Sequence, residues 1–269
     1  MHFATLASGS SGNSILVGEG NRQFLVDSGI TGKRLLHNLS LLGIQVTQVE
    51  GIVVTHEHAD HIKGVGVLAR KLKVPVYASA AIWDAMSPVL GKLDPAQKVV
   101  VDREFRCAGL DVLLFPTSHD SRESYGLRVE KQNGSGRKLA LGIATDTGII
   151  TEAMHHYLAG CDGLVVEANH DEDRLWQGNY PWYLKQRISS IYGHLANKQL
   201  AEGLIEWLDG NTQQVVLAHL SEENNTPEIA LGTVLQILRR ANMSKKCPQV
   251  RFRVAPRHSP HELIVLREE

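Results

Sequence analysis

Apolar and polar positions in the first half of the chain follow a strand period at first and then mix strand and helix periods. The opening run FATLASGSSGNSILVGEGNRQFLVDSG places short apolar stretches between Gly, Ser and Asn, which predicts small strands joined by hairpins. Leucines at helical spacing follow, and Thr31 is the expected N-cap of that helix. A second helix is predicted at 65–72, and strands are predicted at 51–55, 74–77 and 110–115.

The second half repeats this alternation of strands and helices. A hairpin is expected around Asn133–Gly136, between strands at 125–129 and 138–144. The other predicted elements are strands at 163–167, 215–218, 250–254 and 263–266 and helices at 151–158, 199–208 and 227–240. We therefore expect residues 1–269 to form a single α/β domain with two central sheets flanked by helices.

The composition of the 269 residues is that of an ordinary folded protein. Apolar residues make up 43% and charged residues 21% of the chain, which excludes a disordered or collagen-like protein. No run of 18 apolar residues is present, so we expect no membrane span. The three cysteines form no CxxC pair and no signal-peptide pattern is found, which predicts a reduced, cytoplasmic setting.

The near-zero net charge hides an uneven distribution of basic residues. The formal charge is −1, but no Asp or Glu lies between Ile229 and Pro260, a stretch that we call the basic segment. Its basic residues are Arg239, Arg240, Lys245, Lys246, Arg251, Arg253 and Arg257. Two interpretations stay open, namely an ordinary solvated surface and a patch that faces phosphate groups.

Three of the 13 histidines fall in one short run, Thr55-His-Glu-His-Ala-Asp-His61, directly after a predicted strand. His56 and His58 are two residues apart, so their rings can point the same way in an extended turn. Asp60 and His61 are adjacent, so their side chains diverge and can serve two different metal centres. Because a zinc-like ion takes about three protein ligands plus an open position, these four residues predict parts of two metal sites.

Three further candidate ligands each follow the end of a predicted strand. They are His119 in Pro116-Thr-Ser-His-Asp120, Asp146 after the strand 138–144, and His219 after the strand 215–218. One such residue alone is more typical of an ordinary turn. Loops at strand ends gather functional groups over a rigid scaffold, so three together predict that they meet the histidine run.

With these motifs the sequence resembles the metallo-β-lactamase-fold hydrolases. The resemblance implies an αβ/βα four-layer sandwich with two central mixed sheets flanked by helices. It also implies that Asp27, in Leu25-Val-Asp-Ser-Gly29, supports the site without binding metal. The implied metal ligands are His56, His58 and His119 for one ion, Asp60, His61 and His219 for the other, and Asp146 as the bridge.

Within this family the residues favour the phosphodiesterase branch. Secreted β-lactamases of the zinc type usually have Cys where this chain has Asp146, and they lack a His at the position of His61. Glu167 at a strand end and the loop Gly193-His-Leu-Ala-Asn197 are similar to features of ribonuclease Z. The 73 residues from Asp146 to His219 are too few for a β-CASP insertion, so we expect none.

Longer phrases carry a narrower resemblance, to the WalJ (YycJ) group, which is described as bacterial DNA exonucleases of this superfamily. The phrases are Ala7-Ser-Gly-Ser-Ser-Gly-Asn-Ser14, Glu167-Ala-Asn-His-Asp171, Tyr180-Pro-Trp-Tyr-Leu-Lys-Gln-Arg187 and Ala218-His-Leu-Ser-Glu-Glu-Asn-Asn225. They lie in both halves of the chain. The resemblance therefore covers nearly the whole sequence and implies a nucleic acid partner.

Three residues are expected to carry the chemistry, together with two divalent ions. Zinc and manganese both suit His and carboxylate ligands. Asp60 would orient the metal-activated hydroxide, or take its proton, as well as bind metal. His194 is the expected general acid, with Glu167 holding its ring and raising its pKa. The expected phosphate contacts are Ser8, Ser11, Asn13, Ser221 and Asn224.

A cluster of aromatic residues occupies a predicted loop in the second half. Trp176, Tyr180, Trp182 and Tyr183 lie within eight residues of one another. Such side chains can stack on unpaired bases of a nucleic acid. They can equally form a lid that packs on the core, so the residues alone leave both interpretations open.

The leading hypothesis is a dinuclear metal-dependent phosphodiesterase that acts on DNA as a 5′–3′ exonuclease. The alternative is a hydrolase of small esters, lactones or thioesters, which the same two-metal site can run. The pair Glu167 and His194 and the basic segment favour nucleic acid, because a small neutral substrate needs neither. A metal-binding module without turnover is disfavoured by the complete ligand set. The residues leave open the metal, DNA against RNA, the cleavage polarity and the oligomeric state.

Overall fold

Strands and helices alternate through most of the chain. The computed structural model describes residues 1–132 and 138–268. The strands are β1 (His2–Ala7), β2 (Ser14–Glu19), β3 (Arg22–Val26), β4 (Val49–Val53), β5 (Val76–Ala78), β6 (Lys98–Val100), β7 (Glu104–Cys107), β8 (Leu110–Pro116), β9 (Tyr125–Lys131), β10 (Leu139–Ala144), β11 (Gly163–Glu167), β12 (Gln214–Ala218), β13 (Arg251–Val254) and β14 (Ile264–Val265). The helices are α1 (Gly32–Leu41), α2 (Ala59–Ile62), α3 (Val65–Leu72), α4 (Ala80–Leu90), α5 (Glu152–Leu158), α6 (Glu172–Gln177), α7 (Trp182–Ile188), α8 (Asn197–Trp207), α9 (Pro227–Arg240) and α10 (Met243–Lys246).

The strands within the described residues form two mixed sheets of seven strands each. One sheet has the order β14-β1-β2-β3-β4-β5-β6 and the other has the order β13-β12-β11-β10-β9-β8-β7. In the first sheet, β1 to β3 are antiparallel and β3 to β6 are parallel. In the second sheet, β7 to β10 are antiparallel and β10 to β13 are parallel. The expected pair of mixed sheets is confirmed.

Three apolar clusters pack the layers of the fold against one another. Strand β10 contributes side chains to two of these clusters. Leu139, Leu141 and Ile143 point into the cluster between the two sheets, whereas Ala140 and Ala144 point into the cluster under α5, α8 and α9. This is the period of two that a strand buried on both faces requires. A third cluster packs α1, α3 and α4 on the outer face of the first sheet. The layers are therefore helix, sheet, sheet and helix.

Most of the elements expected from the apolar pattern are present. The Thr31 side chain caps α1 by accepting a hydrogen bond from the backbone N–H of Arg34. Strands β9 and β10 pair antiparallel as expected, and the predicted turn Asn133–Gly136 lies outside the described residues. Helix α4 and the short strands β6 and β7 were not predicted. The interior Pro88 of α4 disguises its helical pattern, and three to four residues give too little alternation for a strand prediction.

Parallel strands carry their C-terminal ends to one edge of each sheet. The loops after β4, β10, β11 and β12 leave from such ends, and they contain the candidate ligands and their partners. Loops held in this way are where rigid scaffolds place functional side chains. None of the helices within the described residues is long and apolar enough to cross a membrane.

Candidate metal centre

The first group of candidate ligands consists of His56, His58 and His119. One ring nitrogen from each lies within 4.8 Å of the others. His56 and His58 follow β4, and α2 begins directly after His58, so the extended turn brings the two rings to 4.8 Å between centroids. The His119 ring arrives from the loop after β8, at 5.2 Å from that of His56 and 5.0 Å from that of His58. The structure thus brings these three residues together.

The second group consists of Asp60, His61 and His219, again within 4.8 Å of one another. Asp60 and His61 lie in the first turn of α2, which places their side chains beside His219. Asp146 lies between the two groups, with one oxygen 3.2 Å from His61 Nε2 and the other 3.8 Å from His119 Nε2. All seven predicted ligands therefore surround one buried centre, with one carboxylate between the two sets.

The polar atoms that face this centre fit a bound cation. His56 Nε2 and His219 Nε2 are buried and have no hydrogen-bond partner among the described residues. A buried polar atom without a partner costs about 1–3 kcal/mol, so a cluster of such atoms calls for a ligand. Three imidazoles with nearby carboxylates are the donors that zinc and similar ions take. The residues present therefore fit a bound divalent cation.

The pKa shifts of the histidines in the centre also favour a bound cation. Burial, aided by the charge of His61, holds the pKa of His56 well below its usual value, so its ring is neutral and offers a lone pair. Burial alone would lower the pKa of His219, but Asp146, Asp60 and Glu167 outweigh it and raise that pKa to about 10. The buried carboxylates thus attract positive charge to this place.

Hydrogen bonds on the outer side of the rings set which nitrogen faces the centre. Asp27 Oδ2 accepts a hydrogen bond from His61 Nδ1 at 2.8 Å, and Thr55 Oγ lies 3.0 Å from His56 Nδ1. His119 Nδ1 donates to the Gly193 carbonyl at 3.1 Å. Such contacts fix the ring orientation and leave Nε2 for the metal. Asp27 lies where the resemblance places it, behind a candidate ligand.

Close backbone packing holds the α2 segment against the first sheet. Asn13 N donates to the Asp60 carbonyl at 2.7 Å, and Ser28 N donates to the His61 carbonyl at 2.8 Å. Gly29 makes this approach possible, because a Cβ at this position would overlap the Asp60 carbonyl oxygen. The glycine of the Asp27 motif therefore serves the packing of Asp60 and His61.

Three candidate site residues have a left-handed backbone conformation, which residues other than glycine rarely adopt. The φ angles are 59° at Asp27, 57° at Asp146 and 55° at His219. Each such residue costs on the order of 1–3 kcal/mol and persists only where its surroundings fix it. Only six non-glycine residues within the described chain have a positive φ, so half of them fall on this site.

We expect Asp27→Asn to weaken metal binding about 10–100-fold, because the amide accepts the His61 N–H more weakly and lacks the carboxylate's charge. The readout is the dissociation constant for zinc, measured by competition with a chelator. Asp162→Asn is the matched control, since Asp162 is also buried and also accepts a backbone N–H, that of Ala140. Equal zinc affinity in the two variants would show that Asp27 does not support the ligand.

Glu167 and His194 meet beside the centre. Glu167, at the end of β11, is fully buried, and its Oε1 accepts from His194 Nδ1 at 2.8 Å and from His219 Nδ1 at 2.7 Å. Its Oε2 accepts from the backbone N–H groups of Thr147 and Leu195. Burial opposes ionisation, but the two histidines outweigh it and lower the pKa of Glu167 to about 2. The carboxylate is therefore charged.

The His194 ring is more exposed than the rings of His119 and His219. Its side chain is 19% exposed, and its ring centroid lies 5.1 Å from those of both His119 and His219. One atom each of Asp146, Glu167, His194 and His219 also lie within 4.8 Å of one another. Because Glu167 Oε1 already accepts from both imidazoles, we regard it as their partner and not as a metal ligand.

Of the expected phosphate contacts, Asn13 reaches furthest into the centre. Its Oδ1 accepts from the Gly9 N–H at 2.8 Å, which turns its amide NH₂ toward His61 Nε2 at 3.0 Å. Ser8 Oγ accepts from the His219 N–H, and Ser221 Oγ accepts from the Asn224 N–H. Ser8, Ser221 and Asn224 are buried in the loops of the site, whereas Ser11 is exposed. Their part in phosphate binding stays a prediction.

Several supporting residues were not predicted from the sequence. Asn169 donates to the His219 carbonyl at 2.9 Å, and Asn225 donates to the backbone carbonyls of Ala168 and Asn169. Arg187 Nε lies 2.6 Å from a carboxylate oxygen of Asp120. Asn169, Arg187 and Asn225 all fall inside phrases that carry the narrower resemblance, and this was the one sequence signal for them.

The basic segment does not gather beside the centre. Arg251 begins β13 and pairs with Gln214, at the opposite end of β12 from Ala218. Arg239 and Arg240 end α9, about 20 Å along the helix from its start near the site. Arg253 pairs with Glu262, and Arg257 with Glu222. These residues are spread along α9 and β13, so they do not form a continuous patch that faces phosphate groups. Of the basic segment, Arg257 alone lies next to the site, where its side chain lies beside Gly9.

Three of the four aromatic residues at 176–183 lie on two short helices and not in the predicted loop, whereas Tyr180 lies in the connection between these helices. The Asp171 side chain caps α6, which carries Trp176, and Pro181 precedes α7, which carries Trp182 and Tyr183. These three side chains are 42%, 64% and 72% exposed. These exposures do not support the interpretation as a lid whose aromatic side chains pack on the core.

Comparison with known proteins identifies the family. The profile described as "Beta-lactamase superfamily domain" matches residues 22–220, which is most of the chain. The chain belongs to the β-lactamase superfamily. With the buried His and Asp clusters described above, this superfamily protein is a metal-dependent hydrolase.

Two relatives in this superfamily match along most of their length. Exodeoxyribonuclease YycJ of Bacillus anthracis is 40% identical over 240 residues, covering 88% of this chain and 89% of the relative. Exodeoxyribonuclease WalJ of Streptococcus pneumoniae is 39% identical over 245 residues, covering 90% and 89%. The resemblance to the WalJ (YycJ) group is confirmed.

A solved structure supports the fold. The metallo-β-lactamase fold protein YhfI from Bacillus subtilis superposes with a TM-score of 0.67 at 15% identity, over 97% of this chain and 99% of that one. At this identity the likeness shows the fold alone. The αβ/βα four-layer sandwich is thus confirmed for this superfamily protein.

Proposed function

We propose that this protein is a dinuclear metal-dependent phosphodiesterase that degrades DNA as a 5′–3′ exonuclease, with residues 1–269 acting as one domain. One observation carries the proposal: two three-residue ligand sets share the Asp146 carboxylate, and the Glu167–His194 pair opens onto the same centre. Relatives at 39–40% identity over most of the chain carry the name exodeoxyribonuclease, which supports a nuclease.

The proposed ligand assignment divides the centre in two. His56, His58 and His119 would hold one ion, Asp60, His61 and His219 would hold the other, and Asp146 would bridge them. When bound, two such ions lower the pKa of water and screen the charge of a phosphate group. Either zinc or manganese suits this donor set.

Asp60 is proposed to hold the attacking water and accept its proton. Its side chain is 26% exposed, so it lies at the opening of the centre, whereas His56, His61, Asp146 and His219 are buried. Burial opposes ionisation, but His219 and His61 lower the pKa of Asp60 below its usual value, so the carboxylate is charged and can accept. Asp60 Oδ2 also lies 3.5 Å from the amide nitrogen of Asn13.

His194 is proposed to donate a proton to the departing sugar oxygen. Glu167 accepts from Nδ1, which leaves Nε2 for the substrate. The same carboxylate orients His219, so the proton donor and a candidate ligand are fixed by one group. On the other side, the Asn13 amide is placed to donate to a phosphate oxygen, with Ser8, Ser11, Ser221 and Asn224 in the surrounding loops.

The test is a substrate panel with metal-reconstituted protein. Single- and double-stranded DNA and RNA, labelled at either end, would be assayed beside a lactone and a thioester. We expect 5′-labelled DNA to release labelled mononucleotide first, while 3′-labelled DNA shortens step by step. Turnover of the lactone or the thioester without DNA cleavage would overturn the proposal in favour of a small-ester hydrolase. Release of labelled mononucleotide first from the 3′ end would overturn the polarity.

A further inference from the structure

We propose that exposed aromatic side chains next to the centre form a stacking platform for unpaired bases of the DNA strand being degraded. The platform consists of Trp176 on α6, Trp182 and Tyr183 on α7, and Tyr192 in the loop after α7. This inference rests on the proposed function and deepens it, because it names the surface that would bind unpaired bases of the strand being degraded.

The exposure of these side chains is unusual for their type. Trp182 is 64% exposed, Tyr183 72% and Tyr192 55%, whereas the other two tryptophans of the chain, Trp83 and Trp207, are almost fully buried. The rings of Trp176 and Trp182 lie 5.3 Å apart between centroids. A group of exposed aromatic rings marks an interaction surface.

The platform is continuous with the centre. In the loop that follows α7, the Ile191 carbonyl accepts from Ser118 Oγ, and the Tyr192 carbonyl accepts from the Asp120 N–H. Ser118 and Asp120 flank the candidate ligand His119. The aromatic side chains are therefore fixed to the loop that supplies a ligand.

Contacts within the platform hold it rigid. Lys185 is buried under α7, and its Nζ donates to the carbonyls of Trp176 and Gly178, which ties the end of α6 to α7. A Cβ on Gly178 would lie 3.1 Å from Asn224 Oδ1, so this turn also packs on the loop after His219. The platform thus spans the two loops that carry His119 and His219.

A cation lies between the aromatic rings and the centre. Arg187 follows Tyr183 by four residues on α7, so the two side chains share one face of the helix. The Arg187 side chain is 56% exposed, and its Nε contacts Asp120 at 2.6 Å. A strand whose scissile phosphate lies at the centre would pass this guanidinium with its backbone and the rings with its bases.

The chemistry of the surface favours unpaired bases as the occupant. Bases present flat π-faces that stack on Trp and Tyr, and phosphates pair with arginine. Bases inside a duplex are covered by their neighbours, so the platform selects single strands or frayed ends. A protein bound here would cover the opening of the centre, whereas the substrate must pass it.

The test compares the double variant Trp182→Ala/Tyr183→Ala with wild type on a single-stranded oligothymidylate. We expect KM to rise about 10–100-fold in the variant. Hydrolysis of thymidine 5′-(p-nitrophenyl phosphate) should stay at the wild-type rate, because this substrate has no neighbouring base. Val89→Ala, at a 72% exposed apolar position on α4, is the control and should keep both values. Trp182→Phe should keep most of the oligothymidylate affinity.

Tryptophan fluorescence supplies a second readout. Trp176 and Trp182 are exposed and the other two tryptophans are buried, so a phosphorothioate oligothymidylate that resists cleavage should quench the wild-type signal. A wild-type KM in the double variant would overturn the platform and leave the surface to a protein partner, with the proposed function intact. An equal loss on the nitrophenyl substrate would also overturn it. Failure of wild-type protein to cleave any DNA would instead count against the proposed function.

Discussion

Replacing Asp60 with alanine is expected to lower DNA hydrolysis by at least about 10³-fold, because several kcal/mol of transition-state stabilisation would be lost. Asp60 belongs to the second ligand set and is also the charged group at the opening of the centre. The variant would therefore lose a candidate ligand and the proposed partner of the attacking water. The measurement is the initial rate on 5′-labelled DNA at saturating zinc or manganese.

Asp84→Ala is the control for this experiment, since Asp84 is an exposed carboxylate on α4, away from the centre. It should keep the wild-type rate. A rate within about tenfold of wild type would contradict the proposed role of Asp60. Such a rate corresponds to a change of less than about 1.4 kcal/mol in the activation barrier.

The second large effect is expected for His194→Ala, which should lower kcat on DNA by about 10²–10⁴-fold while the metal content stays unchanged. The ring is held by Glu167 through Nδ1, so its loss would remove the proposed proton donor and leave both candidate ligand sets in place. A p-nitrophenyl phosphodiester should lose much less, because nitrophenolate departs without needing a proton. The ratio of the two losses is the diagnostic quantity.

His156→Ala, at an exposed position on α5, is the matched control and should leave both substrates unaffected. Loss of one metal ion in the His194 variant would contradict the assignment and make His194 a ligand, together with Asp146, Glu167 and His219. An equal loss of rate on both substrates would also rule out proton donation to the departing oxygen.

The fold was largely predictable because its elements have strong periods. Strand β10 alternates between two apolar clusters, and α9 covers the predicted range 227–240, with Thr226 as its N-cap in the structure. The α6 and α7 region was predicted as a loop, because helices of six and seven residues give hardly two turns of periodicity. Tertiary packing, such as the Lys185 contacts, stabilises them instead.

The grouping of the candidate ligands was predictable because each lies in a short motif at a strand end. Their partners were less so: the Thr55 contact to His56 and the pairing of Arg187 with Asp120 depend on loop geometry that spacing does not encode. The basic segment shows the converse. Its residues are close in sequence, but α9 and β13 carry most of them away from the centre.

Metal titration of DNA hydrolysis tests the central claim most directly. Metal-free protein would receive zinc or manganese in known equivalents, with the bound metal measured alongside the rate on 5′-labelled DNA. We predict that the rate rises until two ions are bound per chain and then levels off, as the two ligand sets around Asp146 require. A rate that levels off at one ion per chain, or that persists in excess chelator, would contradict the dinuclear centre.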